Sequence, residues 1–310
     1  MKNLDYRGLA ALNAVVALGS FEKAATSLHI SQSAVSQRIR TLEELAGQLL
    51  IVRAQPPFAT PLGQRLIAHY SQVKLMEAAL AIDTDAPDTL PEIAIAVNAD
   101  TLATWLLDAL TPVLNPPQCQ LTVLIDDQDH TLQLLREGTV FACVTSSMAP
   151  VAGTTASPLG VERYICAASP AFAARWFSDG FTSAAVAQAP AVVFNQKDAL
   201  HARFLNWRLG WDTPYPHHSI ASVDAFEKFV HSGFGYGMLP TLQIERALAR
   251  GDLVDLTPGD GIDVPLVWHA WNIQTPLTEA LSQHIIQTAR RSLSYDPLAL
   301  DAANTRLNHR

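Results

Sequence analysis

Apolar residues recur three and four positions apart along the first fifty residues, and this spacing predicts three short helices. The first helix ends at Gly19, and the other two, over about 21–28 and 32–46, are separated by a tight turn. Ser31 precedes the third helix and is a favourable N-cap. The inward-facing positions are Leu9, Leu12, Val15, Val16, Phe21, Ala24, Ala25, Leu28, Val35, Ile39, Leu42 and Ala46. This arrangement predicts a helix-turn-helix near the amino terminus.

The outer face of the third helix carries amides, hydroxyls and guanidinium groups, with no carboxylate before Glu43. Such groups hydrogen-bond base edges and phosphates of duplex DNA. A short β-type run over 49–53 follows, and its basic residue suits a phosphate contact from a wing. An isolated helix with this face could equally be solvated surface, but the flanking helices and wing favour DNA binding. The predicted DNA-binding residues are Ser31, Gln32, Ser33, Ser36, Gln37, Arg38, Arg40 and Arg53.

A long amphipathic helix is predicted from Thr60-Pro61, where a capping threonine precedes a proline at the first helical position. Its apolar stripe comprises Leu62, Leu66, Tyr70, Val73, Met76 and Leu80. A helix between two domains has few partners in its own chain, so we expect the stripe to pack against a second copy of the chain. Packing on its own domain is the alternative. The polar segment 83–88 is expected to be a hinge.

Strand and helix patterns alternate from residue 92 onward, which predicts an α/β domain. The expected strands are 93–97, 121–125, 140–145, 163–168, 191–194, 236–239 and 266–271. The expected helices are 101–110, 131–137, three that start near 199, 224 and 241, and a closing helix over 278–293. Because one strand crosses to a second group of elements and another returns, we expect two lobes: lobe I at about 88–160 and 265–295, and lobe II at about 161–264.

Composition explains how an acidic chain can bind DNA. The 310 residues carry a net charge of −8, but residues 1–80 have a balance of +3 and the remainder −11. This asymmetry indicates a nucleic-acid module joined to something else, and two copies would double its phosphate contacts. Three cysteines without close pairing, no apolar leader and no long apolar run predict a cytoplasmic protein with no membrane span.

Polar residues cluster where the predicted strands end, which is where open α/β sheets bind ligands. The candidates for effector binding are Asn98, Asp100, Thr101, Asp126, Asp127, Ser146, Phe194, Ser222 and Asp224. Carboxylates at these positions would bind cationic groups of a ligand, and hydroxyls or a helix N-terminus would bind a carboxylate. Each candidate has a structural alternative: Asp100 and Asp224 could be helix caps, and Asp126-Asp127 a solvated loop.

Residues 1 to about 65 resemble the winged helix-turn-helix of the LysR-type bacterial transcriptional regulators. The similarity is carried by FEKAATSLHISQSAVSQRIRTLEELAGQLLIVR and the following TPLG turn. It continues through AVNADTLATWLL and LPTLQIERALARGDLVDLTPG, which are similar to the lysine- and arginine-responsive branch of that family. The resemblance implies a winged helix-turn-helix domain (1–60), a dimerisation linker helix and hinge (61–87), and a two-lobed α/β effector domain of the periplasmic-binding-protein type (88–310).

The expected function is therefore a transcriptional regulator that senses lysine or arginine and controls genes of basic amino acid export or metabolism. Its expected partners are double-stranded DNA, the amino acid, further copies of itself in a homodimer or tetramer, and RNA polymerase. No catalytic motif, cofactor motif or metal-ligand spacing is apparent, so we expect neither an enzyme nor a metal site. The alternative is an architectural or replication-blocking DNA-binding protein without a physiological ligand.

Overall fold

The N-terminal region of the computed structural model, which describes residues 4–81, 90–126, 128–195 and 198–295, is a winged helix-turn-helix. Its elements are α1 (Tyr6–Leu18), α2 (Phe21–Ser27), α3 (Gln32–Ala46), β1 (Ile51–Val52) and β2 (Phe58–Ala59). Gly19 and Gly47 end α1 and α3 in the left-handed conformation, which glycine adopts without strain. The two strands pair antiparallel as the wing. The predicted helices, turn and wing are confirmed.

The wing is fastened to α3 by a carboxylate. Glu43 Oε1 accepts hydrogen bonds from the backbone N–H groups of Leu50 (2.9 Å) and Ile51 (3.4 Å). Leu50 and Ile51 are both buried in the core that the three helices share. The first carboxylate on the outer side of α3 is therefore engaged in holding the wing beside that helix.

The linker helix α4 spans Pro61–Ala81 and begins after Thr60, whose hydroxyl accepts from the Gly63 N–H at 3.2 Å. Its apolar stripe has two different environments. Leu66 is buried in the N-terminal core, and Leu62 and Tyr70 pack partly against it. Met76 and Leu80, further along, are 45% and 76% exposed. The first half of the stripe thus packs on its own domain, whereas the second half is uncovered in a single chain.

The remaining chain forms one mixed sheet covered by helices. The first lobe contains β3 (Glu92–Val97), α5 (Ala99–Thr101), a π-helical turn (Leu102–Leu106), α6 (Leu107–Leu114), β4 (Gln120–Ile125), α7 (Gln128–Glu137) and β5 (Ala142–Thr145). The crossing strand β6 (Thr154–Ala168) leads to α8 (Pro170–Trp176), α9 (Ser183–Val186), β7 (Ala191–Val193), α10 (Leu200–Leu209), β8 (His217–Ser219), α11 (Val223–His231), β9 (Tyr236–Pro240), α12 (Thr241–Arg250) and β10 (Val254–Asp255). The return strand β11 (Ile262–Trp271) and α13 (Pro276–Ser292) complete the fold.

The strands follow the order β4-β3-β5-β11-β6-β9-β7-β8, with β10 also paired to β6. β3 is parallel to β4 and β5, and β7 is parallel to β8 and β9, so each lobe has its own parallel unit. The antiparallel pair β6 and β11 joins the two units. The two-lobed α/β architecture is confirmed.

The two crossing strands are longer than their sequence pattern indicates. β6 begins at Thr154 rather than 163, and β11 begins at Ile262 rather than 266. Ser157-Pro158 and Gly160 resemble turn or loop residues, but the ladder between the strands continues past them with a bulge between Leu266 and Val267. Pairing that lies about a hundred residues apart in the chain sets these bounds, and local periodicity carries no record of it. No helix in the described ranges has the length and apolar character to cross a membrane.

Candidate nucleic-acid interface and ligand cleft

The N-terminal end of α3 presents a polar face. Gln32, Ser33, Gln37 and Arg40 are exposed, and Ser36 is half-buried. The first turn of α3 contains no acidic residue, so its free N–H groups and positive dipole end face outward unopposed. A surface of this composition is suited to hydrogen bonds with bases and phosphates in a groove.

Ser31 and Arg38 have more restricted roles than the other candidates on this helix. The Ser31 hydroxyl accepts from the Ala34 N–H at 3.2 Å and lies 2.9 Å from the Ser33 hydroxyl, so it caps the helix. Arg38 is half-buried, because it lies on the flank of the helix beside the core positions. These two side chains are placed to support the DNA-facing surface more than to read it.

Arg53 lies in the wing with its guanidinium over the Phe21 ring, 5.6 Å from the ring centroid. It lines the same shallow depression as Arg40, between α3 and the wing. Glu44, which also lines this depression, is exposed and was not anticipated among the candidate DNA contacts. Two arginines on adjacent elements suit the backbone of one DNA strand, and the carboxylate beside them limits how strongly they attract it.

The candidates of the first lobe meet at one edge of the sheet. The Asp126 N–H donates to the Val97 carbonyl at 3.2 Å, so the ends of β3 and β4 lie side by side. Ser146 follows β5, which is the other neighbour of β3. Asn98 begins the helix after β3: its Oδ1 accepts from the Thr101 N–H at 3.0 Å. Asn98, Asp126 and Ser146 are therefore brought together, whereas Asp127 lies outside the described residues.

Asp100 is the best-organised of the predicted acids. Its Oδ2 accepts a hydrogen bond of 2.6 Å from the Tyr164 hydroxyl on β6, and the same hydroxyl lies 3.2 Å from Glu162 Oε2. Glu162 is only 2% exposed. Burial, with the charge of Asp100 added, raises the pKa of Glu162 to about 8. Burial also raises the pKa of Asp100, with a further contribution from Asp198 of the second lobe.

Glu162, Tyr164 and Asp198 are site residues that the sequence pattern did not single out. Asp198 is fixed by backbone donors, because its carboxylate accepts from the N–H groups of Phe194 (3.1 Å) and Leu200 (2.9 Å). The negative charge of Asp198 contributes to the raised pKa of Asp100, so acids of both lobes influence this part of the cleft. A cleft lined by acids from both sides favours a cationic ligand.

Two further polar groups lie near the start of the same helix. Thr101 is fully buried and its hydroxyl has no hydrogen-bond partner within the described part of the chain. The indole N–H of Trp105, one turn later, is likewise unpaired there, although the ring belongs to the main core. Unsatisfied buried donors and acceptors are costly, so both groups are ready to bind a ligand or water.

The second-lobe candidates are less closely connected to this cluster. The Ser222 hydroxyl caps α11 by accepting from the Ala225 N–H at 3.4 Å, and Asp224 is an exposed acid in the first turn of that helix. Phe194 packs partly against the apolar core of its own lobe. Ser222 is therefore the N-cap of α11, and Asp224 is a first-turn acid rather than the cap.

The cysteines are buried and unbridged. Burial raises the pKa of the Cys143 thiol to about 12 and that of Cys166 well above its usual value, so neither is a reactive thiolate at neutral pH. Among the described side chains, no group of three or more His, Cys, Asp or Glu could hold a metal ion.

Two family models match the chain and between them cover most of it. Residues 6–64 match the bacterial regulatory helix-turn-helix protein, lysR family, and residues 89–290 match the LysR substrate binding domain. The chain is 45% identical over 296 residues to the HTH-type transcriptional regulator ArgP of Aeromonas salmonicida, which covers 94% of this chain and 99% of the relative. It is 43% identical over 288 residues to ArgP of Pseudomonas aeruginosa, with 92% and 96% covered.

Solved structures of ArgP and LysG proteins are also similar to the chain over nearly its full length. ArgP from Mycobacterium tuberculosis superposes with a TM-score of 0.85 at 37% identity, covering 95% of this chain and all of that one. Full-length LysG from Corynebacterium glutamicum, solved with bound effector Arg, has a TM-score of 0.76 at 31% identity and covers 94% of this chain and all of its own.

Proposed function

The chain belongs to the lysR family of bacterial regulatory helix-turn-helix proteins, and we propose that this DNA-binding transcriptional regulator senses lysine or arginine. The observation that carries the choice of ligand is the acidic cleft, where the Tyr164 hydroxyl lies between Asp100 and buried Glu162 and the charge of Asp198 from the second lobe acts on Asp100. The relatives named ArgP, and the LysG structure with bound Arg, support the same class of ligand. Genes of basic amino acid export or metabolism are the proposed targets.

In the proposed mechanism, two chains place their α3 helices in successive major grooves of a pseudo-palindromic site. The uncovered half of the α4 stripe, with Met76 and Leu80 exposed, supports pairing of linker helices between chains. Gln32, Ser33, Ser36 and Gln37 face bases, and Arg38, Arg40 and Arg53 position the duplex. The amino acid alters DNA contact or bending because it binds one arrangement of the lobes better than another.

Contact with RNA polymerase and a cytoplasmic location are parts of the same proposal. Both follow from action at a promoter, where polymerase and chromosome meet. Co-purification of polymerase on promoter DNA with and without the regulator tests the contact, and cell fractionation tests the location.

Isothermal titration calorimetry of the full-length protein tests the ligand. Lysine or arginine is expected to bind, whereas norleucine, which lacks the side-chain cation, is expected to bind at least tenfold more weakly. Asp100→Asn should reduce lysine affinity at least tenfold, because an ionised partner is lost. Asp108→Asn, at an exposed position on α6, is the matched control. Equal affinity of Asp100→Asn and wild type would remove Asp100 from the site.

Footprinting on one promoter separates the regulator from an architectural DNA-binding protein. The regulator's footprint should change in extent or hypersensitivity when lysine or arginine is added. An identical footprint at saturating amino acid would favour the architectural alternative.

A further inference from the structure

The hydroxyl of Tyr164 lies between two carboxyl groups and has one proton to give. Its 2.6 Å contact to Asp100 Oδ2 is the short distance of a hydroxyl that donates to a charged acceptor. Because the hydroxyl has only that one proton, the 3.2 Å contact to Glu162 Oε2 is a hydrogen bond only if Glu162 donates, as a neutral carboxylic acid does. The geometry therefore defines a chain of three groups in which Glu162 carries a proton and Asp100 is ionised.

A second observation, which does not depend on how close the two acids lie, also indicates that Glu162 is neutral. Glu162 Oε1 is buried and has no hydrogen-bond partner among the residues the structure describes. An ionised carboxylate with a bare buried oxygen would be strongly disfavoured. The burial that raises the pKa of Glu162 to about 8 agrees with a neutral group at neutral pH.

Asp100 is the accessible end of the hydrogen-bonded series Glu162–Tyr164–Asp100. It is half-buried, whereas Tyr164 and Glu162 behind it are buried. A cation that reaches Asp100 compensates its charge. Because that charge is one of the two causes that keep Glu162 protonated, its compensation favours ionisation of Glu162.

We infer that the Glu162–Tyr164–Asp100 chain is the subsite for a cationic group of the effector, and that entry of this cation at Asp100 expels the proton of Glu162. The inference rests on the proposed sensing of a basic amino acid. On binding, the O–H bond of Glu162 breaks and its proton passes to solvent. The site then holds two carboxylates: Tyr164 donates to Asp100, and the ligand cation at Asp100 compensates the negative charge of the pair.

Other ionisable groups surround the Glu162–Tyr164–Asp100 cluster, and Arg163 does not compensate its negative charge. Arg163, next to Glu162, points to the opposite face of β6 and pairs with Asp263 of β11 at 2.9 Å. Asp198 acts on Asp100 from the second lobe. The other charged or titratable side chains on the strands and helices packed against β6 or α5 are Tyr236 of β9, Asp255 of β10, His269 of β11, Asp108 of α6, Asp224, Glu227, Lys228 and His231 of α11, Glu245, Arg246 and Arg250 of α12, and Glu279, His284, Arg290 and Arg291 of α13.

Proton release on binding predicts that lysine affinity increases with pH. Glu162 is protonated in the free protein below about pH 8 and less so in the complex. Binding therefore releases protons below that pH, and lysine affinity rises with pH until it levels off near pH 8. The rise approaches, at most, tenfold per pH unit for one proton released.

Calorimetry of the full-length protein with lysine, between about pH 6 and pH 8 in two buffers of different ionisation enthalpy, measures this release directly. Wild type should release a proton, and Glu162→Gln should release none and show a flat affinity profile. Glu245→Gln, an exposed site on α12, should behave as wild type. Citrulline lacks the side-chain cation and Nα-acetylarginine lacks the α-ammonium, so whichever still releases the proton identifies the group that enters.

Infrared difference spectroscopy with 13C-glutamate labelling needs no variant. The carboxylic acid C=O band of a buried glutamic acid should disappear when lysine is added. Lysine binding without proton release, or unchanged release in a folded Glu162→Gln variant, would overturn the subsite while leaving amino acid sensing intact. Absence of lysine and arginine binding at every pH would instead remove the proposed function.

Discussion

Gly63 in the first turn of α4 lies against the backbone that leads into the wing. A methyl group added at Gly63 would be 2.0 Å from the carbonyl oxygen of Leu50 and 3.0 Å from its carbonyl carbon. These are backbone atoms, so no side chain can rotate away, and the helix would have to shift by about 1 Å or more. The same Leu50 carbonyl accepts from the Thr60 N–H at 2.9 Å, and this bond stands to be lost.

Two effects of Gly63→Ala oppose each other. Helix propensity favours alanine by about 1 kcal/mol. Overpacking against rigid atoms costs about 1–3 kcal/mol, and the strained hydrogen bond about 1 kcal/mol more. The packing effects outweigh the propensity, so we expect the N-terminal domain to lose about 1–3 kcal/mol of stability.

Hydrogen exchange read by mass spectrometry is the appropriate assay, because all six tryptophans follow residue 100 and report only on the C-terminal domain. Peptides from 6–66 of Gly63→Ala should exchange faster than in wild type. Ser71→Ala on the same helix is the control, since it gains helix propensity of a few tenths of a kcal/mol without this contact. Equal or greater protection in Gly63→Ala would refute the close approach of α4 to the wing.

Three further outcomes are expected. Arg53→Ala should weaken binding to all DNA sequences and reduce the salt slope by about one, whereas a loss confined to one base position would contradict its phosphate role. Leu80→Glu should shift the sedimentation equilibrium toward monomers, because it charges the uncovered stripe of α4; an unchanged mass would place the chain contact elsewhere. His201 is buried and its pKa is lowered to about 3, so stability should fall as pH drops from about 6.5 toward 3, by at most about 1.4 kcal/mol per pH unit. If the stability of His201→Gln depends on pH as steeply as that of the wild type, protonation of His201 is not the cause.

The N-terminal domain could be predicted from sequence because its signals are local. Ser31 caps α3 in the structure, Gly19 and Gly47 end helices, and the apolar stripes form one core. Each of these features depends on residues within one or two helical turns. Periodicity and capping therefore contain the information that determines the element.

The ligand cleft was only partly predictable. Asn98, Asp126 and Ser146 follow strands, so parallel pairing of those strands brings them to one edge. Glu162 precedes the apolar run from which the strand was predicted, and it becomes a site residue only because β6 extends past it beneath Asp100. Periodicity does not reveal such an acid, since Tyr164 connects Glu162 to Asp100, which lies more than sixty residues earlier in the chain.

The acids also explain how a ligand can act on the relative positions of the lobes. Asp100 belongs to the first lobe and Asp198 to the second, and repulsion from the charge of Asp198 contributes to the raised pKa of Asp100. Without a cation, closer approach of the lobes increases this repulsion; with one, the same approach brings both carboxylates to an opposite charge. We therefore expect a cation to bind a closed arrangement more strongly than an open one, and that difference in affinity is what a regulator requires to transmit binding to its DNA contacts.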